Sequence, residues 1–295
     1  MTRYDSSGTG DEGGDEHKPS VKRLNRDLLR SVTLLSAKEA RYLVDAYYIS
    51  QEDRKRAHNQ ERSMAEEPNV LVGWLAEQSR VLENQIKRAL TPYAESHAAG
   101  RWMLSIYGIG PVISAGLLAH IAIEQAPTVG HIWAFGGYDP TRKWEKGKKR
   151  PHNAGLKTLF WKIGQSFMKF SNQEECVYGQ VYKERKAYEI MRNNRGGNAD
   201  YAKHMLEARN YGKDTEAYKA YIVGKLPPAQ IDARARRYAV KLFLSHAHTV
   251  WFWITYSRLP ASPYAIGHMD HTDFIAPPNY EQVSGLIEAL RQKGW

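Results

Sequence analysis

Between residues 70 and 90 apolar side chains return at three- and four-residue steps: Val70, Leu71, Trp74, Leu75, Leu82, Ile86 and Leu90. A strand would show its apolar residues at every second position, so this stripe commits the segment to an amphipathic helix of about six turns. The same spacing governs the preceding segment. Ser36 followed by Glu39 makes a capping box, and Leu43, Val44, Tyr47 and Tyr48 carry a helix from there toward about Ser63. Pro68 opens the helix that bears the stripe. The two segments read as an antiparallel helical pair, or as the arms of a dimer.

Helical signals continue to the end of the chain. Gly100, Gly108, Gly110 and Gly116 punctuate the centre, where helices should be short. Thr128 caps a brief helix through Phe135, and Gly136 with Gly137 stops it. Helical spacing resumes from Gly155 to Phe170. A second capping box, Ser171 with Glu174, predicts a helix toward Asn194, broken by residues 195–198. Pro227 and Pro228 introduce the longest helix, to about Arg258, with Ile231, Ala235, Tyr238, Leu242 and Phe252 on one broad face and Arg234, Arg236, Arg237 and Lys241 in its first half. Residues 260–279 hold four prolines and read as rigid and irregular, and a short helix from Tyr280 to Gln292 follows. The expected fold is all-α: a disordered acidic tail over 1–22, a helical arm over 23–98 able to oligomerise, a central domain over 99–170, and a helical region over 171–295 with the long C-terminal helix.

Charge narrows the range of partners. The 295 residues include 42 Lys and Arg against 32 Asp and Glu, a formal charge of +10. Such a surplus attracts polyanions whatever the fold beneath it. Residues 1–20 carry Asp5, Asp11, Glu12, Asp15 and Glu16 among Gly and Ser, so the remainder is more basic still. They have no basic start followed by an apolar run, as a signal peptide would. The lone Cys176 excludes an intrachain disulfide framework and a cysteine-rich zinc site, which fits a reducing, cytoplasmic setting. The longest strongly apolar stretch, residues 112–123, falls well short of the roughly twenty a bilayer requires, so no membrane partner is expected.

Residues 104–121 read LSIYGIGPVISAGLLAHI. A Gly-Ile-Gly between apolar flanks lets the chain turn tightly and bares successive backbone N–H groups at a helix start. Pro111 suits the first helical turn, and Ala115 with Gly116 permits close packing of a paired helix. Donors at Ile109 and Gly110, with the helix dipole behind them, would grip a phosphate without reading bases. The candidate contacts are Tyr107, Gly108, Ile109, Gly110 and Val112. Further on, residues 141–150 read TRKWEKGKKR, six basic residues and one acid among ten. Arg142, Lys143, Lys146, Lys148, Lys149 and Arg150 around Trp144 combine phosphate neutralisation with a stacking surface, and Asn153 and Lys157 follow.

The first of these segments resembles a helix-hairpin-helix, a DNA-binding element without sequence specificity. The hairpin, AFGGYDP at 134–140, the basic loop and HNAGLKTLF at 152–160 together resemble the C-terminal domain of transposases of the 110/116/902 group of insertion sequences, over about residues 100–170. The resemblance implies duplex or branched DNA as partner and work in recombination, transposition or DNA maintenance; bridging DNA segments normally takes two copies, for which the stripe of residues 70–90 offers a homodimer or higher-oligomer contact. The resemblance does not extend to chemistry. Members carry a resolvase-like α/β domain with four magnesium-binding acids, for which the first hundred residues here are too few and too helical. They also place a nucleophilic serine in the basic segment, where this chain offers only Thr141. Hairpin-type DNA glycosylases need an Asp about twenty residues after the second glycine, where Gly130 stands here. His246, His248, His268, Asp270, His271 and Asp273 are ligand types for zinc or manganese, yet residues two apart on a helix point to different sides. The expectation is a DNA-binding protein without a cofactor. The alternative is an active transposase or recombinase using Thr141, or a nuclease holding a divalent metal on His268, Asp270, His271 and Asp273.

Overall fold

The computed structural model describes residues 21, 23–64, 70–142, 144–261 and 275–292. They form twelve α-helices with no strand among the described residues, so the fold is all-α. The chain passes through α1 (Arg26–Ser31), α2 (Ala37–Ser63), α3 (Val70–Ser96), α4 (Ala98–Leu104), α5 (Pro111–His120) and α6 (Val129–Phe135). It continues through α7 (Ala154–Lys169), α8 (Val177–Asn194), α9 (Ala199–Ala208), α10 (Glu216–Ile222), α11 (Pro228–Tyr256) and α12 (Leu286–Gln292). The acidic tail, Pro68, and the greater part of the proline-rich segment fall outside the described residues.

The capping box at Ser36 and Glu39 forms as read, with Ser36 N bonded to Glu39 Oε2 at 2.8 Å. The second one does not form. Ser171 Oγ turns back to Met168 O at 2.9 Å, the chain makes further turns, and α8 starts only at Val177 with Cys176 as its N-cap. Between Asn194 and Pro228 the structure adds α9 and α10, whose faces meet the start of α11 in a small separate cluster of Ala202, Tyr221, Leu226 and Ile231. The closing helix from 280 is interrupted: a 3-10 turn at Tyr280–Gln282 precedes α12, with Gly285 at φ 75° between them.

Helices α2 and α3 run antiparallel, since Gly73 lies beside Glu61 while Glu83 takes Arg54 at 2.6 Å and Gln51 at 3.2 Å. Burial alone would raise the Glu83 carboxyl, but hydrogen bonds from Arg54 and Gln51 hold it below its ordinary value. The pair is not a detached arm. Val44 of α2 approaches Gly116 of α5, Arg41 reaches Ala119 O, and Ile86 and Leu90 are buried in the main core. The other end of the stripe, with Val70, Leu71, Trp74 and Leu75, is exposed, as is Leu82 in its middle. The main core draws side chains from Val32 to Leu290, so the three segments divided at 98/99 and 170/171 share one interior.

At its centre Phe243 of α11 meets three rings: Trp102 of α4 at 6.3 Å, Phe167 of α7 at 5.6 Å and Tyr178 of α8 at 5.3 Å. Tyr178 Oη and His246 Nδ1 are 2.8 Å apart, while His246 Nε2 is 2.8 Å from Ile275 O. The carbonyl can only accept, so Nε2 carries the proton and the neutral ring ties α8 to the chain past residue 274. Burial pushes the His246 pKa down to about 4 from 6.5. His248 is a core residue too, its Nε2 donating to Ala126 O at 2.7 Å, so neither histidine offers a metal site.

The unfolded chain binds a proton at His246 more readily than the folded one, so stability is full above pH 6.5 and declines as pH falls toward 4. The loss is on the order of 3 kcal/mol. Thermal unfolding followed by circular dichroism should show the midpoint falling across this window, and His246→Gln should flatten part of the fall.

Candidate nucleic-acid interface

The Gly-Ile-Gly turn joins α4 to α5 at residues 105–110, and its backbone is tied down from behind. Gly108, at φ 91°, gives its carbonyl to Ser166 Oγ on α7, and Tyr107 O accepts from Cys176 Sγ at 3.6 Å. Asn279 Nδ2 donates to Ser105 O at 2.9 Å, and Trp102 Nε1 to Pro278 O at 2.9 Å, so the C-terminal segment braces the first helix of the hairpin. Ile109 is buried and spends its N–H on Ile106 O at 2.9 Å, which removes it as a phosphate donor. Val112 is buried as well, leaving only its backbone available. The N–H groups of Gly110, Val112 and Ile113 have no protein acceptor among the described residues, and the space in front of Gly110 is open, with no atom within 4 Å of where a methyl group on it would stand. Tyr107 is exposed with its edge against Phe170, and Lys169 lies over that ring.

Gly116 faces Leu159 of α7 and Gly155 faces His120, so α5 and α7 are antiparallel neighbours. The hairpin therefore meets the C-terminal end of α7, at Ser166, and the basic loop enters the N-terminal end, at Asn153. At 1.5 Å per residue these points are roughly 20 Å apart along the helix. The hairpin and the basic loop therefore lie at opposite ends of α7 and not side by side.

The basic loop is exposed, and its charges divide into paired and unpaired. Arg142 lies 3.7 Å from Asp139 and Lys148 2.6 Å from Glu145. Lys146, Lys149 and Arg150 take part in no ion pair among the described residues, nor does Lys157 one turn into α7. Lys143 lies outside the described residues. Trp144 donates to Lys148 O at 2.7 Å, holding its half-exposed ring under the Arg150 guanidinium. Asn153 is occupied by capping, its Oδ1 accepting from Leu156 N at 2.9 Å. Burial and the charges of Lys157 and Arg150 lower the His152 pKa, which marks how cationic this corner is.

The Gly-Gly-Tyr-Asp-Pro turn anchors the loop. A side chain at Gly136 would sit 2.0 Å from the fully buried Phe160 ring, and Gly137 has φ 72°. Tyr138 rests edge-on against Phe160, and burial pushes its pKa up to about 12. Thr141 gives both its N–H and its hydroxyl to Asp139 Oδ1, at 2.9 and 2.7 Å, and these bonds hold the carboxyl below its ordinary range. The pair closes the turn, so the Thr141 hydroxyl serves the backbone geometry here.

Across this turn lies a cleft of about 860 Å³ between residues 137–140, the ends of α8 and α9, and α11. Of the second basic patch, Arg234 is drawn to buried Glu189 and to Asn198, and Arg236 Nε lies 2.7 Å from Asp232 Oδ2, at an angle too poor for a hydrogen bond. Arg237 and Lys241 face the cleft instead. Arg185, Glu189 and Arg192 on α8 complete it and were missed, although their i, i+4, i+7 spacing places them on one helix face.

Among the described residues no group of three or more His, Cys, Asp or Glu is placed to hold a metal ion, and no helix is long and apolar enough to cross a membrane. His268, Asp270, His271 and Asp273 lie outside them. No protein-family model, curated protein or solved structure matches this chain.

The two hairpin glycines should separate cleanly on substitution. Gly108→Ala forces a side chain into the left-handed region against Ser166 and Phe167 and should cost about 1–2 kcal/mol in urea denaturation. Gly110→Ala, at φ −101° with open space ahead, should change stability by less than about 0.5 kcal/mol.

Proposed function

We propose that this protein binds DNA, duplex or branched, by its sugar–phosphate backbone and without reading sequence, with the loop over residues 142–150 and the start of α7 as the main contact. The observation that carries this reading is the set of loop and α7 cations left without a protein counter-charge around the half-exposed Trp144. Each acid beside the loop already has a partner, whereas Lys146, Lys149, Arg150 and Lys157 have none there. Cations left without a protein counter-charge hold small ions that a polyanion displaces, and the released ions drive binding. Trp144 adds a half-exposed ring beside them.

The hairpin supplies a second, lesser contact through the N–H groups of Gly110, Val112 and Ile113 at the head of α5. Its distance from the loop, roughly 20 Å, corresponds to about six base pairs along one strand. Transposase-like ancestry, and a place in recombination, transposition or DNA maintenance, is supported by the resemblance of residues 100–170.

Replacing Lys146, Lys149 and Arg150 together by Ala should lower the slope of log affinity against log salt by about 0.9 for each phosphate no longer neutralised, or roughly 3 in all. Anisotropy titrations on a labelled duplex at several salt concentrations measure it, and an unchanged slope in the folded variant sinks the loop's role. Gly110→Val should weaken binding only a few-fold, and excess chelator should leave affinity unchanged.

A further inference from the structure

The cleft beside the loop is built for something thinner than a duplex. It is lined by five cations and three acids. Glu189, almost fully buried, is neutralised by Arg185 at 2.6 Å and Arg234 at 3.4 Å, and Asp139 by Thr141 and Arg142. Arg192, Arg237 and Lys241 face the cleft in no ion pair among the described residues, with Asp139 acting on Lys241 at longer range and Asp200 the remaining acid of the lining. Lys241 is half-buried over the Trp133 ring at 4.8 Å, and burial lowers its pKa, so an anion reaching it would gain from the dry surroundings.

The wall opposite α11 is rigid. Asn193 grips both backbone groups of Leu226, at 2.8 and 3.1 Å, Asn198 donates to Asn193 Oδ1 at 3.1 Å, and Arg234 donates to Asn198 at 2.9 Å. Two tyrosines stand in the lining with one face each covered by an arginine: Tyr201 by Arg234 at 5.0 Å and Tyr238 by Arg185 at 4.7 Å. They remain 38% and 42% exposed, so part of each ring is open at the cleft. An arginine on one face holds the ring still and leaves the other for a planar guest.

A B-form duplex, about 20 Å across, cannot enter a recess of this size, and its bases are stacked on each other with their faces hidden. An unpaired strand can bring phosphates to the half-buried lysine and bases to the rings. At the 137–140 turn the cleft borders Asp139, whose partner Arg142 is the first cation of the basic loop, so a polymer has a charged continuation that a free nucleotide would not use. We infer that this cleft holds a single-stranded nucleic acid segment, its phosphates on Arg192, Arg237 and Lys241 and its bases on Tyr201 and Tyr238. The inference deepens the proposed DNA-binding reading and rests on it for the path by which a strand arrives.

Anisotropy titrations of the full chain with labelled oligo-dT and oligo-rU of about a dozen nucleotides, and with a blunt duplex, test it. Tyr238→Ala and Arg192→Ala should each weaken binding of the single strand about tenfold while duplex affinity holds, and Tyr238→Phe, which keeps the ring, should bind as the parent does. A preference between the two oligomers identifies the strand as DNA or RNA. Single-strand binding that ignores both substitutions in folded protein overturns the assignment. Duplex binding with no single-strand binding also overturns it while leaving the loop's role intact, and single-strand binding without duplex binding does the reverse.

Discussion

Phe243 is the contact on which the remaining geometry depends. One ring near the middle of α11 touches rings from α4, α7 and α8, three helices that begin more than seventy residues apart at the extremes. Aromatic contacts of this kind contribute about 0.5–1.5 kcal/mol each beyond the area they bury, and their edge-and-face preferences also set how each helix is rotated. Trp102 brings the hairpin's first helix to the core, Phe167 aligns the end of α7 that receives Gly108, and Tyr178 orients α8. Arg192, well along α8, then lies across the cleft from Arg237 on α11. His246, one turn beyond Phe243, extends the same lock to the segment that braces Trp102 and Ser105.

The few acids that the interior takes in are each met by cations from a neighbouring helix. Glu83 joins α2 to α3, Glu189 joins α8 to α11, and Asp232 takes Tyr182, Lys186 at 3.1 Å and Arg236 at 2.7 Å. Each is buried or half-buried, where an unpaired carboxylate would be costly, so cations gather on it. Those pairs fix Arg54, Arg185, Lys186, Arg234 and Arg236 to the interior, while Lys146, Lys149 and Arg150 on the loop and Arg192, Arg237 and Lys241 in the cleft stand in no ion pair among the described residues.

The antiparallel packing of α5 on α7 has the opposite consequence for the hairpin. Gly116 admits Leu159 at close range, which seats the two helices side by side and sends the Gly-Ile-Gly turn to the end away from the basic loop. The hairpin keeps three open N–H groups with Lys169 near its exposed Tyr107, whereas the loop and cleft hold several cations in no ion pair among the described residues. Electrostatic strength and the recognisable motif thus lie at different ends of one helix.

Helix positions were legible wherever the chemistry is local. Ser36 with Glu39, the Gly136-Gly137 stop and the Pro227-Pro228 start all act within a turn or two, and the helices begin or end beside them. Ser171 with Glu174 misled because a serine hydroxyl can as readily close the preceding helix by bonding to Met168 O, and only the direction of the following chain selects between the two. The charge of the loop was also plain, since six basic residues in ten need no partner to be noticed. Which cations remain unpaired could not be read: Arg234 and Arg237 are three residues apart in the same helix, and one is claimed by Glu189 from α8 while the other is not. That distinction, the cleft itself, and the separation of the hairpin from the loop follow from how rings around Phe243 and the small residues of α5 let the helices approach. Such contacts join residues far apart in the chain, so periodicity and capping carry no record of them.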